Sequence, residues 1–111
     1  MCLLLAACNV PPRTYKIALV APFEGRQRQV GYDAFPALRM AIRDEIAAQP
    51  NATQQITFIA YNDNADPAFA KQVAANVIVD SDVLLVIGHL ITQTTQAALP
   101  LYVQAGLPIV L

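Results

Sequence analysis

The feature that most restricts the fold of this chain is the alternation, from Lys16 onward, of short apolar runs with longer amphipathic stretches. The first apolar run is continuous rather than alternating, which is typical of a strand covered on both faces of a parallel sheet. The longer stretches repeat their apolar residues at helical spacing. We therefore predict an α/β fold of the order β-α-β-α-β-α-β, a doubly wound parallel sheet with right-handed crossovers and helices on both faces.

Four strands are predicted from the apolar runs. They cover residues 17–22, 56–61, 83–87 and the stretch that starts at Leu107. The first strand is followed by a polar loop, residues 23–29, and Gly31 then opens an amphipathic helix. Pro36 is expected near the first turn of that helix, where proline is tolerated because the missing N–H has no helical partner.

Two further helices are predicted together with their ends. Asp66 and Pro67 mark the start of the second helix, because Asp caps free N–H groups and Pro is preorganised for the first helical position. The third helix follows the loop 88–95, is expected to kink or restart at Pro100, and has Gly106 at its carboxyl-terminal cap. The buried stripe of the second helix is predicted to consist of Phe69, Val73 and Val77.

Composition excludes several classes of protein. The net charge of −1 gives no basic face for nucleic acid, and the abundance of Val, Ile, Leu and Phe excludes disorder. Apolar residues make up 56% of the chain and charged residues 14%, whereas average domains have about 45–50% and about 25%. This excess of apolar residues, together with a sheet that ends on an apolar strand, predicts that residues 16–111 are part of a larger domain.

The first 15 residues are predicted to be the remnant of an export signal and a linker. The run from Leu5 to Cys8 resembles the bacterial lipobox, in which the cysteine is acylated and becomes the first residue of the mature protein. The resemblance implies lipidation at Cys8 and an exported protein anchored to the membrane. An ordinary apolar terminus is the alternative, because no basic region precedes Cys2 and short matches arise by chance.

A ligand site is expected beyond the carboxyl ends of the strands, at the point where the strand order reverses. If the order is 2-1-3-4, the loops 23–29 and 88–95 meet there. The second loop is rich in hydroxyl groups and leads into a helix, and a helix N-terminus favours an anion. A carboxylate is therefore the expected guest, with helix capping as the alternative role of Thr92 and Thr95.

Catalytic and cofactor chemistry have little support in the sequence. His89 is the single histidine, so a Cys/His or Ser/His pair is not expected, and His89 is either a donor in the ligand loop or an ordinary loop residue. Asp63 and Asp66 fit turn and cap chemistry better than metal binding. We predict no enzyme activity, no cofactor, no metal site and no catalytic residue.

Three segments carry a resemblance to a known family. Residues 16–25, 61–67 and 88–98 resemble the opening strand, the second-strand signature and the ligand-loop helix of the Leu/Ile/Val-binding, or type I periplasmic, family of ABC-transporter solute receptors. The similarity covers about residues 16–111, which would then be the amino-terminal part of the first lobe, with the second lobe outside this sequence. The resemblance implies that Thr92 and Thr95 hold the α-carboxylate of an amino acid.

The family resemblance also implies partners and location. The expected protein is extracytoplasmic and lipid-anchored, binds an amino acid of branched-chain type or a related small carboxylated solute between two lobes, and delivers it to ABC permease subunits. It is expected to be a monomer when complete and not to bind nucleic acid. Arg26 and Arg28 in the first loop could select an acidic or carboxylated solute, with two solvated loop arginines as the alternative. The residues predicted to contact the ligand are Phe23, Glu24, Gly25, His89, Leu90, Thr92 and Thr95.

Two other functions fit the same pattern. A ligand-sensing domain of the same fold could belong to a receptor or regulator, and a transmembrane or signalling segment would then be expected in the same protein. An enzyme of the flavodoxin-like or Rossmann-like type is the candidate from a different class, because fold alone does not decide function.

Overall fold

A computed structural model describes residues 11–111 of the chain. Its strands pair in the order β2-β1-β3-β4, and all three pairings are parallel. The predicted doubly wound α/β fold is confirmed, and the strand order is the one assumed in locating the ligand site. The elements in chain order are β1 (Thr14–Ala21), α1 (Arg28–Ala48), β2 (Gln55–Asn62), α2 (Pro67–Ile78), β3 (Val83–Gly88), α3 (Thr92–Ala105) and β4 (Ile109–Val110).

Strand β1 lies in the middle of the sheet, between β2 and β3. Its residues from Thr14 to Ala21 pair along their whole length with Gln55 to Asn62 of β2. The last four residues of β1 have no exposed surface. This position explains the continuous apolar run, because a central parallel strand is covered by a strand on each side and by helices above and below.

Helices cover both faces of the sheet. Ala18 and Val20 of β1 point toward α2 and α3, which pack against each other on one face. Ile17 faces the side of the sheet that carries α1 and lines a cavity together with that helix, as expected from the alternation of side chains along a strand. The main core lies on the α2 and α3 side and contains Ala18, Val20, Ala70, Val73, Ala74, Val77, Val83, Val86, Ala98 and Tyr102.

The first helix differs from its prediction. It begins at Arg28 rather than Gly31, so Pro36 is its ninth residue and lies in the third turn, well inside the helix. The expectation of Pro36 near the first turn is therefore wrong, because the polar residues of the loop extend the helix backward. The third helix also continues through Pro100 without a restart, and it ends as predicted at Gly106, which has a positive φ of 69°.

The start of α2 is confirmed, and its buried stripe is partly wrong. The side chain of Asp66 accepts a hydrogen bond from the backbone N–H of Phe69 at 2.7 Å, and Pro67 is the first helical residue. Val73 and Val77 are buried, but Phe69 is 37% exposed because this first-turn position faces away from the core. Ala70 and Ala74 complete the buried face.

The end of the sheet at which the strands begin is more open to solvent than the end at which the strands finish. Open cavities of about 410 and 190 Å³ lie between the carboxyl-terminal half of α1 and the start of β2. Lys16 and Asp80 form an ion pair of 2.7 Å at this edge. The hydrogen bond raises the pKa of Lys16 and lowers that of Asp80.

Within residues 11–111, no helix has the length and apolar character needed to cross a bilayer.

Gly31 allows α1 to approach the end of β1. A Cβ atom at this position would lie 2.4 Å from the carbonyl oxygen of Pro22 and 2.9 Å from the ring of Phe23. Both contacts are closer than real Cβ atoms show, and the first one involves backbone. Helix α1 can therefore sit against the β1–α1 loop only with glycine at this position.

We expect Gly31→Ala to lower the free energy of unfolding by about 2 kcal/mol, measured by urea denaturation, because the added methyl group overpacks this contact. Ala37→Gly, at an exposed position of the same helix, serves as the control and should cost about 1 kcal/mol through helix propensity alone. If Gly31→Ala stabilises the protein instead, the higher helix propensity of alanine outweighs any steric clash, and the close approach of α1 to Pro22 is wrong.

Candidate functional site

The carboxyl ends of β1 and β3 lie side by side. Val20 of β1 and Gly88 of β3 are register partners, so the loops that follow the two strands begin next to each other. Gly88 has a φ of 116°, and a Cβ atom there would lie 2.0 Å from the carbonyl oxygen of Val20. This is the point where the strand order reverses, which is where open α/β sheets bind ligands.

The β1–α1 loop forms one side of this candidate site. The backbone N–H of Phe23 donates to Oδ1 of Asn62 at 2.9 Å, and the half-buried ring of Phe23 packs edge-on against Tyr32 and Phe35 of α1. Glu24 and Gly25 are exposed. The loop is thus anchored at Phe23, and its tip is open to solvent.

The N-terminus of α3 forms the other side. Ile91 is the N-cap residue, and no side chain within residues 11–111 caps this helix. The N–H of Thr95 is the first to bond back into the helix, to the carbonyl oxygen of Ile91 at 2.9 Å. The N–H groups of Thr92, Gln93 and Thr94 precede it and have no intrahelical acceptor. An exposed helix N-terminus of this kind attracts an anion.

The threonine hydroxyl groups near this N-terminus have different roles. Thr92 is exposed at the first helical position. The hydroxyl of Thr95 donates to the carbonyl oxygen of His89 at 2.5 Å, and the hydroxyl of Thr94 donates to that of Ile91 at 2.9 Å. Capping by Thr92 and Thr95, the alternative drawn from the sequence, is therefore absent from the described part of the chain.

His89 lies at the centre of a buried hydrogen-bond network. Its Nδ1 is 2.8 Å from Oδ2 of Asp63, and its Nε2 is 3.1 Å from the hydroxyl of Tyr102. Asp63 and Tyr102 have no exposed surface, and His89 is 2% exposed. The second carboxylate oxygen of Asp63 accepts the backbone N–H of Ala65 at 2.9 Å. We call Asp63, His89 and Tyr102 the buried triad.

The environment of the triad fixes where its protons lie. Burial alone would raise the pKa of Asp63, but the hydrogen bonds from His89 and Ala65 outweigh it and hold this pKa below its ordinary value. Burial, reinforced by the Asp63 carboxylate, raises the pKa of Tyr102. Asp63 is therefore a carboxylate that accepts from Nδ1–H of His89, and in a neutral imidazole Nε2 accepts from the phenol of Tyr102.

The residues predicted to contact a ligand fall into three groups. Glu24, Gly25 and Thr92 are exposed at the reversal point, whereas Leu90 and Thr95 are half-buried beside them. Phe23 and His89 contribute their side chains to the packing behind the two loops. Ligand contact by these seven residues stays a prediction. The lipidation prediction at Cys8 lies outside the described residues.

Sequence reasoning missed the triad. It assigned Asp63 to turn chemistry, which explains the bond to Ala65 but not the bond to His89. It gave Tyr102 no role. A buried tyrosine needs a partner for its hydroxyl, and the single histidine at the end of a buried strand was the available signal. Within residues 11–111, no three His, Cys, Asp or Glu side chains cluster to hold a metal ion.

Comparison with known proteins relates the matched part of this chain to a family. The Leu/Ile/Val-binding protein of Citrobacter freundii is 31% identical over 107 residues, which is 96% of this chain and 29% of that protein. The branched-chain amino acid transporter substrate binding protein of Streptococcus pneumoniae, solved with isoleucine, matches with a TM-score of 0.75 and 27% identity. Over the matched part, the chain belongs to the Leu/Ile/Val-binding protein family.

Other solved members of the fold bind different solutes. A solute binding protein of an ABC transporter from Rhodopseudomonas palustris, in complex with 3,4-dihydroxybenzoic acid, is 30% identical with a TM-score of 0.72. The match covers 86% of this chain in both structures, but 28% of the Streptococcus protein and 26% of the Rhodopseudomonas protein. The names of these three proteins describe binding proteins and not enzymes. No family model matches the chain.

We expect Asp63→Asn to destabilise the protein at neutral pH by about 2 kcal/mol, because the bonds of the buried carboxylate are charge-assisted. The pKa of Asp63 is lowered in the folded state, so its contribution is complete above the ordinary value of 3.8 and is lost as pH falls through the folded pKa. The difference between the variant and the unmodified protein should therefore shrink below pH 3.8, as urea titrations at pH 7, 5, 4 and 3 would measure.

The matched control is Asp44→Asn, at an exposed carboxylate of α1. It should change stability by about 0.5 kcal/mol or less at neutral pH. A pH-independent difference for Asp63→Asn would contradict the assignment of a charged Asp63 in the folded state.

Proposed function

We propose that the chain is part of an extracytoplasmic solute-binding protein of an ABC transporter, and that it binds a small carboxylated solute, an amino acid of branched-chain type in the first instance. The observation that carries this proposal is the open N-terminus of α3 at the reversal point of the sheet. The backbone N–H groups of Thr92 and Gln93, which have no helical acceptor, and the exposed hydroxyl of Thr92 offer donors there, whereas Thr94 is fully buried. The names of the relatives support the same class of function.

The chemistry of these donors favours a carboxylate. Each hydrogen bond from an N–H group to a carboxylate is charge-assisted, and the helix dipole adds a favourable field at the same end. The hydroxyl of Thr95 already donates to His89, so it can only accept from an ammonium group or water. We therefore assign the carboxylate to the N–H groups and Thr92, with Thr95 as support behind them.

The site on this chain is one wall of a cleft in the proposed protein. Glu24, Gly25 and Thr92 are exposed, so a solute held here would keep one side in water. In the proposed mechanism a second lobe closes over the solute by a hinge motion, excludes that water and presents the complex to permease subunits. The protein would act as a monomer and without catalysis.

The solute class has two candidates. Isoleucine is bound by the Streptococcus relative, and an aromatic carboxylic acid is bound by the Rhodopseudomonas relative. Arg26 in the β1–α1 loop and Arg28 at the start of α1 are exposed, and the side chain of Arg28 donates to the carbonyl oxygen of Gly25 at 3.3 Å. An extra carboxylate or phenolate on the solute would find positive charge on this side of the site.

The proposal is tested by titrating the ¹⁵N-labelled chain with L-leucine and following its backbone amide signals. We expect millimolar affinity, because a single wall supplies only part of the binding contacts. The shifts should cluster at residues 24–25 and 90–95. Leucinamide, which lacks the carboxylate, should cause at least tenfold smaller shifts at the α3 N-terminus, since a charge-assisted bond contributes about 1.5 kcal/mol or more.

Two variants complete this experiment. Thr92→Ala should weaken the response to leucine, whereas Thr57→Ala, at an exposed position of β2, should leave it unchanged. 3,4-Dihydroxybenzoate is titrated in parallel to decide between the solute classes. Equal shifts with leucine and leucinamide, or shifts away from the two loops, would overturn carboxylate recognition at α3. Micromolar binding by this chain would contradict the need for a second lobe.

We also propose that Cys8 carries a lipid and anchors the protein to the outer face of the cell membrane. The support is the run Leu5 to Cys8 together with the Pro11-Pro12 linker that follows. Expressed from its own reading frame in a bacterial host, the protein should incorporate labelled palmitate. Cys8→Ser should abolish the label and Cys2→Ser should retain it. Equal labelling of the two variants would exclude Cys8 as the modified residue.

A further inference from the structure

The buried triad connects two strands that are not neighbours. Asp63 follows β2 and His89 follows β3, and β1 separates these strands in the sheet. The backbone N–H of Asp63 bonds to the carbonyl oxygen of Ala21, the last residue of β1, at 3.1 Å. The bond between Asp63 and His89 therefore passes over the carboxyl end of the central strand.

The same histidine is tied to α3 at two places. The ring of His89 meets the hydroxyl of Tyr102 in the last turn of α3, and its carbonyl oxygen accepts a hydrogen bond from the hydroxyl of Thr95 in the first turn. Three contacts thus restrain His89, one from the residue after β2 and two from α3, at its last turn and at its N-terminus. The segment held by these contacts runs from His89 to Thr95, and we call it the α3 entry.

The triad cannot act on a solute directly. Its members resemble an acid–base relay in composition, but Asp63 and Tyr102 are fully buried and His89 is 2% exposed. Both ring nitrogens of His89 already have partners inside the protein. Any influence on binding must therefore pass through the backbone of the α3 entry.

We propose that the buried triad is a positioning device for the solute site: it holds the α3 entry rigid, so that the free N–H groups of α3 are in place before the solute arrives. This inference rests on the proposed function for the identity of the ligand. A flexible entry would have to be ordered at the moment of binding, and that ordering would reduce affinity. The triad residues are thus positioning residues and not ligand contacts.

The test uses Tyr102→Phe, which removes one hydroxyl and keeps the buried ring. Backbone ¹⁵N order parameters of residues 89–93 should fall from about 0.85 to below about 0.6 in the ligand-free variant, while those of β1 stay near 0.85. The Kd for L-leucine should rise about fivefold, as expected for the loss of one hydrogen bond of ordinary strength. Tyr15→Phe, at the opposite end of β1, is the control and should change neither quantity.

Two further variants keep the proposal falsifiable if Tyr102→Phe does not fold. Thr95→Val removes the second tie to His89 at a half-buried position and should loosen residues 89–93 in the same way. His89→Asn keeps a donor for Asp63 but cannot reach Tyr102. The double variant His89→Asn/Tyr102→Phe should have order parameters at residues 89–93 close to those of Tyr102→Phe alone, because the two changes break the same hydrogen bond.

The outcomes separate this inference from the proposed function. Order parameters of residues 89–93 that stay high in both Tyr102→Phe and Thr95→Val overturn the positioning role, even if leucine binds. Uniform loosening that includes β1 also overturns it, because the triad would then only stabilise the whole fold. If the order parameters of residues 89–93 fall in Tyr102→Phe but the Kd for L-leucine is unchanged, the proposed link between the rigidity of the α3 entry and solute binding is overturned. A chain that shows the loosening but never responds to leucine overturns the proposed function instead.

Discussion

The enclosed carboxyl end of β1 is the constraint on which the rest of the structure depends. Residues Ala18 to Ala21 have no exposed surface, so every element around them must come within van der Waals contact. Two glycines make this possible, Gly88 beside Val20 and Gly31 beside Pro22. Because side chains are excluded at both positions, β3 and α1 approach the strand end by backbone, and the two loops of the candidate site emerge close together.

Burial at this strand end also determines how polar groups are distributed. A polar side chain that faces the α2 and α3 side must find a partner, since an unsatisfied buried group costs about 1–3 kcal/mol. Asp63, His89 and Tyr102 satisfy one another, and no buried polar side-chain atom of residues 11–111 lacks a hydrogen bond. The network is thus a consequence of closing the sheet end over polar residues, and it stiffens the loop that leaves β3.

Most of the fold could be predicted from local patterns. The alternation of strands and helices, the Asp66 cap and the Gly106 cap follow from apolar runs and cap chemistry, which act within a few residues, whereas the strand order was only assumed. The start of α1 could not be predicted, because Arg28 and Gln29 are polar and exposed and carry no apolar signal for a helix. The triad was out of reach for a related reason: its residues lie 26 and 13 positions apart, and only the finished topology brings them together.

The candidate site differs from the triad in having donors without acceptors. Behind the loops, Asp63, His89, Tyr102 and the hydroxyl of Thr95 are paired. In front of them, the first N–H groups of α3 have no helical acceptor and Thr92 faces solvent. Water meets these donors when the site is empty, and a carboxylate replaces that water with a gain from the helix dipole. The side chains behind the loops are all hydrogen-bonded and hold the α3 N-terminus in place, whereas its N–H donors have no helical acceptor. This combination favours an anion of defined shape, because the donors do not have to move to bind it.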